Sequence, residues 1–118
     1  MAKGISITIK DSTGDAAPVL TNTGTVNMDV DASFSSDNVL GIFAKIVNVT
    51  GTTAGTASLQ WSINGTDFID IPGEATLTLV DGATIIWELA NTGLVKYRVE
   101  FAGSGTHTST CSGESIYK

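Results

Sequence analysis

Gly55-Thr-Ala-Ser-Leu-Gln-Trp-Ser-Ile-Asn-Gly-Thr-Asp-Phe-Ile-Asp-Ile-Pro-Gly73 decides the reading of this chain. Asn64-Gly65 is the dipeptide that a type I′ turn requires, and alternating residues run on both sides of it, so the stretch predicts a β-hairpin. Leu59, Trp61 and Ile63 fall on one face of the first strand, and Ser58, Gln60 and Ser62 on the other. One face therefore packs inward while the other meets water or a partner.

The same alternation extends outward in both directions. Ile5, Ile7 and Ile9 alternate with Ser6, Thr8 and Lys10, and Val26, Met28 and Val30 with Asn27, Asp29 and Asp31. Val95, Tyr97, Val99 and Phe101 alternate with Lys96, Arg98, Glu100 and Ala102. Val39 to Val49 is almost continuously apolar, which predicts a central strand covered on both faces or one whose outer face meets another subunit. Ala75 to Val80 and Thr84 to Leu89 predict a second hairpin around Asp81-Gly82. Asp11 to Gly24, with Gly14, Pro18, Asn22 and Gly24, reads as a long loop, and loops of that length commonly serve contact. After the Gly103-Ser-Gly105 turn a last strand is expected over Thr106 to Cys111, followed by a short polar C-terminal tail ending in Ile116-Tyr117-Lys118. Eight or nine short strands with no helical period predict an all-β fold, an antiparallel β-sandwich in a single domain over residues 1–118.

Composition narrows the function classes. Charged residues make up 15 % of the 118, the net charge is −6, and Lys and Arg are too few and too scattered for a phosphate-binding surface. No nucleic-acid partner is expected. No stretch is long and apolar enough for a membrane span, and no apolar leader follows Met1, so no membrane is expected either. The single Cys111 cannot form an internal bridge, which suits folding in a reducing cytoplasm.

Reacting groups are scarce. His107 and Cys111 are the only His and Cys, and on one strand they lie about 13 Å apart by strand rise, too far for a nucleophile and its base. They read as a surface strand histidine and a small buried or half-buried thiol. Asp29 and Asp31 share a strand face and could join loop carbonyls around a calcium ion, but the spacing is not that of an EF-hand, and solvated surface acids are the plainer reading. The glycine-rich turns lack the Lys-Ser/Thr of a phosphate loop. No catalytic, metal or cofactor site is expected, and the chain reads as a non-enzyme. Trp61, Tyr97 and Phe101 fall on apolar strand faces and belong to the core; Trp87 and Phe68 are left as rings that could stack on a glycan or a protein partner. With Val39, Ile42, Asp15 and Pro18 they form the set of candidate interface or ligand contacts.

Thr56-Ala-Ser-Leu-Gln-Trp-Ser-Ile-Asn-Gly-Thr-Asp-Phe-Ile-Asp-Ile-Pro72, followed by Val95-Lys-Tyr-Arg-Val-Glu-Phe-Ala-Gly-Ser-Gly-Thr106, resembles small structural proteins of tailed-bacteriophage virions. In that family a strand reading "LQxSxDGxxWxxI" precedes one reading "KYxRVxFxGSGT". Asn64 stands for the usual Asp and Phe68 for the usual Trp, which keeps the turn and the aromatic. The resemblance covers about half of the chain and implies an immunoglobulin-like sandwich in a virion protein. Such a protein would be a homo-oligomeric capsid decoration or cement protein bound to the major capsid protein or other virion proteins, assembled in the host bacterial cytoplasm. A tail or fibre-base accessory protein, or a carbohydrate-binding or adhesion module on the same sandwich, are the alternatives. The Asp11 to Gly24 loop, the N-terminal strand and Val39 to Val49 are the expected contact elements.

Overall fold

Alternation of apolar and polar residues gives strands with one wet and one dry face, and two such sheets close over each other to bury the dry faces. The computed structural model describes residues 5–30, 39–90 and 96–117. Its strands are β1 (Ile5–Thr8), β2 (Lys10–Asp11), β3 (Val19–Thr21), β4 (Thr25–Val30), β5 (Val39–Gly51), β6 (Gly55–Ser62), β7 (Ile69–Asp70), β8 (Leu77–Thr78), β9 (Thr84–Ala90), β10 (Lys96–Gly103) and β11 (His107–Tyr117). Sheet A has the order β1-β11-β5-β9, with β3 beside β1 on the same edge of β11. Sheet B has the order β2-β4-β10-β6-β7, with β8 also on β6. All pairings are antiparallel, and the all-β sandwich expected from the alternation is the observed class.

Within that class the connectivity departs from an immunoglobulin order, in which hairpins keep neighbouring strands in one sheet. Here β3, β4, β5 and β6 alternate between the sheets, as do β9, β10 and β11, giving facing orders β3-β11-β5-β9 and β4-β10-β6-β7. That is the order of a jelly roll built from two Greek keys. The predicted hairpin around Asp81-Gly82 is accordingly a corner between sheets. β8 pairs with β6, whereas β9 pairs with β5. Asp81 Oδ1 instead accepts the Asn48 N–H at 2.9 Å, and Gly82 N–H donates to Ile46 O, fastening the corner to β5.

The hairpin around Asn64 exists, with Trp61 opposite Ile69 and Gln60 opposite Asp70, but its turn is not of type I′. That turn needs positive φ at both central residues; Gly65 has φ +78, whereas Asn64 is not in the positive region. Asn64 works through its side chain, whose Oδ1 accepts the N–H groups of Thr66 and Asp67 at 2.8 and 2.9 Å. This Asx arrangement widens the loop and leaves Ile63 87 % exposed instead of on the dry face.

The predicted long loop contains β3, and the predicted polar tail continues as strand through Tyr117. Small polar residues hide that continuation in the sequence: Ser115 is buried, and Gly113 lies where a side chain would meet Phe43 O and Ile9. The N-terminal segment pairs with β11 as β1 and with β4 as β2, crossing between sheets at buried Ile9. The shared core gathers Met28, Leu40, Ile42, Ile46, Leu59, Trp87, Tyr97, Val99 and Phe101. Asp31 and Val95, assigned to strands from the alternation, lie outside the described residues, as do Asp37, a neighbour of Asp29 and Asp31 in sequence, and Phe34, an aromatic of the apolar central region.

Gly55, with φ +127, opens β6 where a Cβ would run into the Ala102 carbonyl oxygen and stand 2.8 Å from Gly103 Cα. Gly82, at φ +79, has open space around it. Gly55→Ala is therefore expected to destabilise by more than about 2 kcal/mol and Gly82→Ala by about 1 kcal/mol, since only the former adds a backbone collision to the left-handed strain. Chemical denaturation midpoints of the two variants check this order.

Candidate contact surfaces

Because β-strand side chains alternate, each sheet shows the solvent a separate outer face, and the two faces differ in chemistry. On sheet B one row crosses five strands: Lys10 opposite Asp29, Asp29 opposite Arg98, Arg98 opposite Gln60, Gln60 opposite Asp70. The row is fully polar, and its part from Arg98 to Asp70 is bonded. Arg98 Nε donates to Gln60 Oε1 at 2.7 Å, and Gln60 Nε2 donates to Asp70 Oδ1 at 2.9 Å. Arg98 also stands 3.6 Å from a Glu100 oxygen and 4.1 Å over the centre of the Phe68 ring. The loop between β6 and β7 thus folds back onto its own sheet, which explains the burial of Gln60 and Ser62 on the face expected to meet water or a partner.

The outer face of sheet A is different. Val19, Thr110 and Val47 form one row across three strands, and Glu114, Phe43 and Ile86 form another. Lys45 lies between them, opposite Ser112 and Thr84. Val19, Val47 and Ile86 are exposed, Ile86 to 65 %, and Phe43 is half-buried. Large apolar side chains grouped on an uncovered face mark a contact surface more often than scattered ones do. Along the apolar run Val39 to Val49, Leu40, Ile42, Ala44 and Ile46 enter the core, while Phe43 and Val47 face outward, so the core covers this strand on one face and not on both.

The structure separates the residues proposed from sequence. Trp87 is 2 % exposed, faces Ile42 across the β5/β9 ladder inside the core, and donates its indole N–H to Ala75 O at 2.7 Å. Its satisfied N–H allows full burial, so neither Trp87 nor Ile42 is a contact residue. Phe68 is half-buried with one ring face under the Arg98 guanidinium. The two rings nominated for a glycan thus offer no open platform. Pro18 is buried and its carbonyl accepts the Cys111 N–H. Asp15 is exposed, and its Oδ1 accepts the Ala17 N–H within the loop. Val39 pairs with Ala90 at the start of β5, and its side chain lies outside the described residues. In the same loop Asp11 accepts Thr13 Oγ1 at 2.7 Å and the N–H groups of Thr13 and Asp15; these bonds hold its carboxyl below the usual carboxylate range.

His107 is not the surface histidine expected from the sequence. It is 2 % exposed, and its Nδ1 lies 2.9 Å from buried Ser109 Oγ. Ser109 Oγ lies 2.8 Å from Thr53 Oγ1, which also accepts from Asn48 Nδ2. This buried chain of hydroxyls ties the β5–β6 turn to β11. It forms where the β5/β11 register slips: Thr108 faces Thr50 and Ser109 faces Asn48, so Val49 is the extra residue of a bulge. Sequence reading missed it. The available signal was His107, Ser109 and Cys111 on a single strand phase, all pointing inward. Among the described residues no three His, Cys, Asp or Glu side chains gather in a cluster that could hold a metal, and no helix is long and apolar enough to cross a membrane.

No protein-family model matches this chain, and no curated protein matches it by sequence. The fold is similar to that in the crystal structure of the Yersinia pseudotuberculosis-derived mitogen, with a TM-score of 0.60 over 98 % of this chain and 87 % of that one. At 12 % sequence identity the likeness shows the fold alone.

Burial pushes the Cys111 thiol up from an ordinary 9.0 to about 12. The folded-state value lies above that of the unfolded chain, so this contribution to stability is complete below about pH 9 and is lost as pH rises toward 12. Cys111→Ala should flatten that part of the stability curve, measured by denaturant unfolding between pH 8 and about 11 against the wild-type chain.

Proposed function

We propose that this chain is a non-enzymatic virion protein that decorates a capsid, docking on the capsid lattice through the outer face of sheet A. The single observation that carries the docking surface is the grouping of Val19, Phe43, Val47 and Ile86 in adjacent rows of one outer sheet face. Interface cores favour aromatic and aliphatic side chains with charge displaced to the rim; here Glu88 and Glu114 lie beside the apolar residues, and Lys45 stands between their two rows. The assignment to a virion rests on the resemblance of the β6–β7 and β10 sequences to tailed-phage structural proteins. A jelly-roll sandwich has both sheets closed over one core, so it can carry an adhesive outer face without loss of stability. Repetition of the partner site over a lattice would convert modest single contacts into firm attachment by avidity.

The experiment is co-sedimentation of the purified chain with tailed-phage capsids lacking it. The expected result is saturable binding in fixed stoichiometry, weakened at least about tenfold by the double variant Val19→Glu, Val47→Glu, a loss of about 1.4 kcal/mol or more. Both side chains are exposed, so far-ultraviolet circular dichroism of the variant should match the wild type. Absence of capsid binding by the wild type, or undiminished binding by the folded variant, rejects the proposal. Cryo-electron microscopy density on tail or baseplate instead of head would move the protein to the accessory class.

A further inference from the structure

The edges of the two sheets are unequal. β1 has four residues, β3 three, and β2, β7 and β8 two each. Short outer strands of this kind blunt a sheet edge against unwanted pairing. β9 is the exception. It runs for seven residues, Thr84-Ile-Ile-Trp-Glu-Leu-Ala90, pairs with β5 on one side, and has no strand on its other side among the described residues. It contains no Pro, no Lys and no positive φ, the devices that usually protect such an edge.

The hydrogen-bond phase shows which residues serve the open side. Ile46 donates its N–H to Ala83 O at 3.1 Å, which makes the position opposite Ile46 a hydrogen-bonded one. Bonded and non-bonded pairs alternate along an antiparallel ladder. Ala44 with Ile85 and Ile42 with Trp87 therefore exchange bonds, while Thr84, Ile86 and Glu88 aim their N–H and C=O groups away from β5. The same three residues direct their side chains to the outer face, and all three are exposed.

We infer that the occupant of this edge is a second copy of the chain, joined β9 to β9 in antiparallel fashion about a two-fold axis at Ile86. With that register Ile86 faces Ile86 of the second copy, and Thr84 faces Glu88 in both halves. Three hydrogen-bonded pairs form and supply about six ladder bonds, two per pair. No like charges meet. A register centred on Glu88 would set two carboxylates opposite each other, and one centred on Thr84 would leave both Glu88 residues without a cross-strand partner. On the outer face, Phe43 lies beside Ile86, so the axis brings two Phe43–Ile86 pairs together into one apolar cluster. On the inner face, half-buried Ile85 and Leu89, packed at the rim of the core, gain cover from the second copy. The interface is isologous and closes at two copies, which ends the growth that an open edge otherwise invites. It is independent of capsid attachment.

The test is the mass of the full chain by light scattering on a size-exclusion column over a concentration series. The wild type is expected to dimerise. Ile86→Pro removes an N–H that no strand within the monomer uses, so the fold should persist, and the dimer should weaken by at least about tenfold. Ile86→Lys places two cations face to face on the axis and should weaken it similarly, keeping the test valid if the Pro variant does not fold. Val47→Glu, on the outer face but beyond the end of β9, should leave the dimer unchanged. A wild type that stays monomeric at about 100 μM, far above the dissociation constant of a specific dimer, overturns the inference. So do folded Ile86 variants that dimerise as the wild type does, and so does a dimer abolished by Val47→Glu, which would place self-association on the face instead of the edge.

Discussion

The antiparallel ladder between β5 and β11 is the constraint on which the architecture depends. It runs from His107 opposite Gly51 to Tyr117 opposite Leu40, and every other element of sheet A is fastened to one of these two strands. β9 takes the free side of β5; β1 and β3 take the free side of β11, with Ile9 N–H to Gly113 O and Cys111 N–H to Pro18 O bridging the interval between them. The two strands are far apart in sequence, so their pairing carries a large loop-closure cost that is recovered only when the core forms. The bulge at Val49 and the chain from Asn48 through Thr53 and Ser109 to His107 lock the register at the end where the ladder slips. A one-residue slip would turn Leu40, Ile42, Ala44 and Ile46 out to solvent. Register, and with it the identity of the outer face, is fixed by these few polar bonds together with the apolar phase.

The limits of sequence reading follow from what a period of two can encode. It reports faces, so the inward phases of β4, β6 and β10 were legible from Met28, Leu59 and Val99 alone. It does not report which sheet a strand joins. Asp81-Gly82 satisfies the same conformational demand in a hairpin and in a corner between sheets, and only the distant bonds to Asn48 and Ile46 distinguish the two. The end of β11 was hidden for a related reason, since Ser115 occupies a core-facing position where an apolar residue would have revealed the strand. Trp87 was misplaced because Ile85, Ile86 and Trp87 are apolar on both phases. Which phase enters the core is decided by the indole N–H finding Ala75 O, a contact with no local signature.

A contact surface is harder to read than a reacting site because it has no obligatory residue types. The segment Val39 to Val49 was legible as a candidate, since continuous apolarity in a strand needs cover on both sides. Ile86 and Val19 were not: Ile86 stands between apolar Ile85 and Trp87, and Val19 in a strand of three residues, so neither is distinguishable from a core position until the register sets it beside Phe43 or in line with Val47. The polar face of sheet B offers a useful contrast. Arg98 there bonds to Gln60, stacks on Phe68 and approaches Glu100, so its guanidinium is already engaged within the chain on one face and at Nε. Side chains already satisfied internally gain little from a partner, whereas exposed valine and isoleucine gain by losing water. Of the two outer faces, that of sheet A is therefore the better suited to a partner.

Face and edge of that sheet make different demands on a partner. Docking on the face buries side chains and tolerates many backbone shapes opposite it, as the proposed capsid attachment would require. Docking on the β9 edge requires an extended backbone in the correct hydrogen-bond phase, so it selects strands and, given the arrangement of Thr84, Ile86 and Glu88, selects its own copy. The two surfaces meet at Ile86, which contributes its backbone to the edge and its side chain to the face. Edge pairing would extend the apolar face of one protomer into that of the next, doubling the contact area presented on one side of the assembly. Self-association through β9 would in this way strengthen lattice attachment without requiring any residue to change its role.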